Sequence, residues 1–332
     1  MDTSVSSVLH IRQTSASVAA DRPHRTSASC ISVNASRRRP LTVAFGLIWL
    51  LDAALQFQPY MFTSAFPHQV LAPAAEGNPG WVYDPVVWAS GLMSHHIVLL
   101  NAAFALVQLA IAIGLLWPRT AKLALAGSVG WSLLVWWLGE GLGGILTGPM
   151  SPLAGLPGAV LLYAVIAVLL WPRMPDEPAR PAVSVAARSV IGARGARAVW
   201  IVLWLGFAAE GLRAANRAPN ALRDLVAGAA DGEPRWIRSV NIWAADALSG
   251  RGLMVSIVLA VCFVLIALSV LVPSLTRVGV MCAVVLSAVM WVVVQDFGAI
   301  ATGMSTDPNS GLPLVLLALC YWPTSLRHVR HL

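Results

Sequence analysis

Apolar residues fall in runs free of charge at 97–117, 123–138, 156–171, 198–209, 253–272 and 278–294. A further run at 41–58 carries Asp52, and a last one covers 312–322. The runs are continuous rather than alternating, so they predict helices and not the strands of a barrel. Several approach the roughly 20 residues that a bilayer-spanning helix needs. The pattern predicts eight helices, at 41–58, 97–117, 121–146, 156–171, 198–214, 252–272, 276–301 and 312–326. The fold class is an all-α polytopic membrane protein. The last run would rise only about 16 Å as a helix. It must therefore continue past Pro323 with Arg327 snorkelling, or lie tilted.

The pattern also repeats at a spacing of 155 positions. Trp49-Leu50 returns as Trp204-Leu205, Trp81 as Trp236, Trp88-Ala89 as Trp243-Ala244, and Trp136 as Trp291. Gly143, Ile145, Thr147 and Gly148 return as Gly298, Ile300, Thr302 and Gly303. Gly155-Leu156-Pro157 matches Gly311-Leu312-Pro313 after a shift of one. Such self-similarity predicts two copies of one four-helix unit. An even number of spans returns the chain to its starting side, so the copies are expected to be parallel. The expected organisation is a disordered basic tail at 1–40, a first membrane unit at 41–172, a Pro/Ala/Arg linker at 173–197, and a second unit at 198–332. The long segments 59–96 and 215–251 are expected to fold back as short amphipathic helices, with the recurring tryptophans as interfacial anchors.

Composition agrees. Only 11% of the 332 residues are charged and 58% are hydrophobic, too few charges to coat a soluble domain. The net charge of +7 sits beside the apolar runs, at Arg37–Arg39, Arg119 with Lys122, the stretch 173–197, Arg277, and Arg327 with Arg330. That is the positive-inside pattern, and it excludes nucleic acid as the partner. It predicts a multi-pass protein of the cell membrane with both termini cytoplasmic and the lipid bilayer as its main partner. Other membrane subunits remain open. Cys262, Cys282 and Cys320 lie in apolar runs and Cys30 in the tail, with no C-x-x-C pair, so thiol exchange has no equipment.

The stretch 105–116, ALVQLAIAIGLL, followed by Pro118-Arg119-Thr120-Ala121, resembles the central helices of the DoxX-like membrane proteins. Those are four-helix units with a long segment between the first two helices. The resemblance implies a tandem duplication over about 42–326 and a loose link to redox and thiosulfate metabolism. Gln108 stands where members of that family often carry a glutamate.

Acidic residues inside membrane helices cost about 2.5–3.5 kcal/mol each on insertion scales and call for a reason. Asp52, Glu140, Glu210 and Asp296, with Gln295 beside the last, all fall in the outer halves of their helices. Asp52 and Glu140 are expected to face one outward cavity, with His95 and His96 at its mouth. Gln108 and Asp296 complete the candidate ligand-binding set. Glu210 and Asp296 can instead pair with Arg213 or Arg251. Gly139-Glu140-Gly141-Leu142-Gly143-Gly144 either admits a neighbouring helix or unwinds; close packing through small residues is the plainer expectation. Met93-Ser94-His95-His96 offers soft-metal ligands, but adjacent histidines on a helix point about 100° apart and seldom share an ion. No cofactor or catalytic motif is present: there is no P-loop, Rossmann glycine pattern, H-E-x-x-H or nucleophile elbow. Three functions stay open. One is binding or transport of a small polar solute or cation; the others are a DoxX-like redox-associated subunit and a non-catalytic assembly partner.

Overall fold

The computed structural model describes residues 24–148, 151–173 and 184–323, with side chains described from residue 37 onward. The helices, in chain order, are α1 (His24–Gln56), α2 (Gly80–His95), α3 (Ile97–Leu116), α4 (Ala121–Leu138), α5 (Ala159–Leu170) and α6 (Gly192–Gly211). They continue as α7 (Ala214–Arg217), α8 (Ala221–Ala229), α9 (Arg235–Leu248), α10 (Gly252–Ser269), α11 (Thr276–Val289), α12 (Asp296–Ala299) and α13 (Gly311–Cys320). Among the described residues there is no strand, only an isolated bridge between Pro172 and Ser189.

Four stretches, Ile97–Leu116, Ala121–Leu138, Gly252–Ser269 and Thr276–Val294, are long and apolar enough to cross a membrane. They turn large apolar side chains outward: Leu99 is 71% exposed and Leu123 is 76% exposed. Apolar cover on that scale requires lipid rather than water around it. α5 and α13 are the opposite. Leu162, Tyr163, Ile166, Leu314 and Leu317 are fully buried, and the two helices pack against each other at the centre. Around them sits an aromatic core of Phe45, Trp49, Trp200, Trp204, Phe207 and Phe263, with Trp49 edge-on to Tyr163 at 5.0 Å.

At 1.5 Å per residue α5 and α13 rise only about 18 and 15 Å, well short of the roughly 30 Å hydrocarbon core. The connections 139–158 and 295–310 lead into them. The expected continuation of the last helix past Pro323 lies outside the described residues.

Several boundaries differ from the sequence expectation. α1 begins at His24, not 41, running through the polar Ser/Arg stretch. Extending an existing helix adds a hydrogen bond per residue without a new nucleus, which explains the overrun. α4 stops at Leu138 rather than 146, and α11 gives way to a π-turn at Met290–Val294 instead of running to 301. The described end of the 173–197 linker is folded rather than loose. Val185 and Ala186 are buried in the core, and α6 starts at Gly192. Arg38 holds this end by donating to the Leu170 and Arg188 carbonyls at 2.9 and 3.0 Å. Arg39 donates to Leu115 O at 2.9 Å and also to Leu116 O. Both guanidinium groups thus sit on the carbonyl ends of helices, where the helix dipole favours a cation.

The segments between α1 and α3 and between α6 and α10 fold back into short helices, as expected. Trp81 and Trp88 on α2 are 60% and 63% exposed; Trp236 and Trp243 on α9 are 62% and 72% exposed.

Candidate functional site

The glycine-rich segment after α4 unwinds; it does not pack as a helix, and the close-packing expectation is corrected here. Gly141, Leu142, Gly143 and Gly144 have φ of 54°, 60°, 62° and 73°. Four successive left-handed residues reverse the sense of the chain, which only glycine tolerates cheaply. The same feature recurs 155 positions on: Asp296, Phe297, Gly298 and Ala299 have φ of 47°, 58°, 80° and 55°. Each turn is held by the same two bonds. Trp136 Nε1 donates to Pro157 O and Trp291 Nε1 to Pro308 O, both at 2.8 Å. Thr147 Oγ1 donates to Gly144 O at 2.9 Å, and Thr302 Oγ1 to Ala299 O at 2.7 Å. Gly155-Leu156-Pro157 precedes α5, whereas Gly311-Leu312-Pro313 lies within α13. The shifted match between them in sequence is therefore not a match in structure.

The first turn places Glu140 at the start of α5, its Oε2 against Gly158 and its carboxyl beside the Val160 backbone N–H. Gln295, 155 residues on, holds the matching place at α13 and caps it, its Oε1 accepting Gly311 N–H at 2.9 Å. The Gln295 amide is otherwise spent on Leu153 O and Ser310 Oγ, at 3.1 and 3.0 Å. Glu140 Oε2, by contrast, is buried with no hydrogen-bond partner among the described residues.

Glu140 lines a cavity of about 540 Å³. α1 contributes Asp52 and Gln56, α3 contributes Phe104 and Gln108, and α4 contributes Trp131. The fold-back segment supplies Phe66, Glu76 and Trp88, and the loop before α13 brings Thr306, Asp307 and Asn309. The walls are largely apolar and aromatic, with Phe104 edge-on to Trp131 at 5.2 Å. Three polar atoms of this lining are buried without partners among the described residues: Glu140 Oε2, Gln108 Oε1 and Trp131 Nε1. Asp52 is 1% exposed and accepts the Tyr163 hydroxyl at 3.1 Å.

Of the residues singled out from sequence, Asp52, Glu140 and Gln108 meet at this cavity. His95 and His96 do not; both are exposed at the α2–α3 junction, because the break between those helices turns them to the outside. Asp296 is also elsewhere, 1% exposed and bonded by Asn241 Nδ2 at 2.7 Å. Its expected Arg213 or Arg251 pairing is not made. Arg213 pairs with Glu210 at 2.8 Å, as foreseen, and Arg251 donates to Ala247 O. No set of three or more His, Cys, Asp or Glu side chains is placed to hold a metal ion among the described residues.

Asp307 was not legible as a site residue. It accepts Asn309 N–H at 2.7 Å and Thr306 Oγ1–H at 2.8 Å, the bonds of an ordinary Asx turn, and Thr-Asp-Pro-Asn reads as a turn. Burial pushes its carboxyl above the ordinary aspartate value. The folded state then binds that proton more tightly than the unfolded chain, so stability falls as pH rises from the unfolded-chain value through the raised one. Asp52 and Glu140 face the same space, with Tyr163 behind Asp52. Thermal melting is expected to be higher near about pH 5 than about pH 8, and Asp307→Asn to make that slope shallower. A steeper or unchanged slope would place the effect on other groups.

Comparison with protein-family models, with curated proteins and with solved structures finds no match.

Proposed function

We propose that this chain is a multi-pass cell-membrane protein of two parallel four-helix units, of the kind the DoxX-like resemblance implies. At a cavity lined mainly by its first unit and by the loop before α13, it binds a small solute with a cationic or hydrogen-bond-donating head and an apolar body. The comparison of Glu140 with Gln295 carries the reading. Both side chains lie at the start of a short central helix, where Gln295 shows that an uncharged amide suffices, yet position 140 holds an acid beside the cavity, one of its oxygens buried with no partner among the described residues. Asp52 and Asp307 add negative charge, and Gln108 Oε1 a further acceptor. The aromatic wall suits an apolar body and favours a cation near its ring faces. Entry is from the non-cytoplasmic side, the side of the fold-back segments.

The test uses purified protein in detergent with 2-phenylethylammonium as probe. Glu140→Gln is expected to express and melt like wild type, because glutamine already makes this cap at position 295. Losing a charged hydrogen bond of about 1.5–3 kcal/mol should weaken probe binding about 10- to 100-fold. Misfolding of Glu140→Gln, or unchanged binding, defeats the proposal.

The orientation has its own test. Reporters fused after Glu76, Arg188 and Glu233 are expected to read outside, inside and outside. Opposite sides for Glu76 and Glu233 would rule out parallel units.

A further inference from the structure

A second group of buried oxygens lies away from the cavity, in the C-terminal half. Glu233, in the turn between α8 and α9, is 8% exposed, and neither of its carboxyl oxygens has a partner among the described residues. Asp296, at the left-handed turn, is 1% exposed with Oδ2 likewise unpartnered. Asn241 of α9 is fully buried; its Nδ2 donates to Asp296 Oδ1 at 2.7 Å and to Val293 O at 3.2 Å, and its Oδ1 has no partner among the described residues. Burial, and after it the Asp296 charge nearby, raises the Glu233 carboxyl above its ordinary value.

The residues at the corresponding positions of the N-terminal half lie close together and carry no acid. The residues 155 positions earlier are Asn78, Val86 and Gly141. A Cβ added at Gly141 would lie 3.0 Å from Asn78 Nδ2. That turn forms with no carboxylate, so the acids of the C-terminal half are surplus to folding. Nor, among the described residues, does a side-chain cation answer them. Arg213 and Arg223 are paired with Glu210 and Asp224, Arg251 donates to Ala247 O, and Arg235 and Arg238 are exposed on α9.

We propose that Glu233, Asp296 and Asn241 form a binding site for a hard metal cation of the calcium class. Two carboxylates and an amide oxygen are hard donors, and Val293 O lies at the same spot. With neither imidazole nor thiolate in the set, soft metals are disfavoured. A site with only two carboxylates belongs with the weak extracellular calcium modules, at about 10⁻⁴–10⁻³ M. It ties the α8–α9 turn to the left-handed turn, so occupancy stabilises the outer end of the C-terminal half.

The experiment is thermal melting of chelator-treated protein with calcium chloride added, against choline chloride at equal ionic strength. Calcium is expected to raise the melting temperature by about 2–4 °C once it exceeds its dissociation constant tenfold. Glu233→Gln and Asp296→Asn should each abolish that rise. Glu233→Asn with Asp296→Gly copies the N-terminal half, and is expected to fold and ignore calcium while still binding 2-phenylethylammonium. That last readout separates this site from the cavity. A wild-type melt indifferent to calcium overturns the proposal, however the variants behave. So does a calcium rise that survives the double replacement, which would assign the ion to Asp52, Glu140 and Asp307. A melt that is flat in calcium and rises on acidification more in wild type than in the double replacement would overturn it too, showing that the pair shares a proton instead.

Discussion

Gly143→Ala is expected to prevent accumulation of folded protein, and Gly298→Ala to do the same. Both glycines sit at positive φ, 62° and 80°, where an added Cβ alone costs about 1–2 kcal/mol. The larger cost is steric. At Gly143 the new carbon would overlap the Pro157 carbonyl, and at Gly298 it would overlap the backbone of Pro308. Those carbonyls cannot step back, because each accepts an indole N–H, from Trp136 and Trp291. Moving either one breaks a bond and shifts the start of a buried central helix. Overpacking of this kind typically costs about 1–3 kcal/mol, and here it adds to the backbone strain and a lost hydrogen bond. The sum is a large part of the about 5–15 kcal/mol that holds a typical fold. Gly130→Ala is the control: that glycine is helical and nothing lies within 4 Å of its added Cβ. It should fold at least as well as wild type, since alanine is the better helix former by about 1 kcal/mol. Yield and monodispersity on size-exclusion chromatography read all three. A folded Gly143→Ala would mean that the turn relaxes more freely than its contacts indicate.

That turn also marks where sequence reading failed. The long helices were legible because lipid imposes a simple rule: an apolar run of sufficient length must close its own hydrogen bonds as a helix. Hence α3 and α10 lie where the runs predict, at Ile97–Leu116 and Gly252–Ser269. The α4 boundary was misplaced because Leu142, Ile145 and Leu146 carry apolar character past the glycines of 139–144. Nothing in hydropathy distinguishes glycines that pack a helix from glycines that reverse it. Leu142, Phe297 and Ala299 adopt left-handed φ although their identities favour the opposite, so tertiary contacts overrode local preference. Asp52 and Glu140 were found because an acid in an apolar run is costly and conspicuous. Asp307 and Glu233 were missed because an acid in a polar loop is neither. His95 and His96 misled for a related reason: conspicuous residue types beside a helix start say nothing about the direction in which the side chains leave it.

The second large effect separates the fold from the site at Asp52. Tyr163→Phe is expected to lower stability by about 1–3 kcal/mol, because it removes the hydroxyl that Asp52 accepts and leaves a buried carboxyl without that donor. Asp52→Leu alone should cost a similar amount, since it orphans the Tyr163 hydroxyl. The double variant Asp52→Leu, Tyr163→Phe is expected to recover most of the loss, because removing both partners of a buried bond leaves no unsatisfied group. The C-terminal half makes the apolar solution credible: position 207, 155 residues beyond Asp52, is a phenylalanine buried against Trp204 and Phe263. The two single variants should therefore be non-additive by about 1–3 kcal/mol in a double-mutant cycle. Probe binding should not recover with stability. If Asp52 serves the cavity, the stable double variant binds 2-phenylethylammonium at least about 10-fold more weakly than wild type, the loss of one charged contact. A double variant both stable and fully competent to bind would reduce Asp52 to a partner of Tyr163 and leave Glu140 and Asp307 as the charges that a ligand meets.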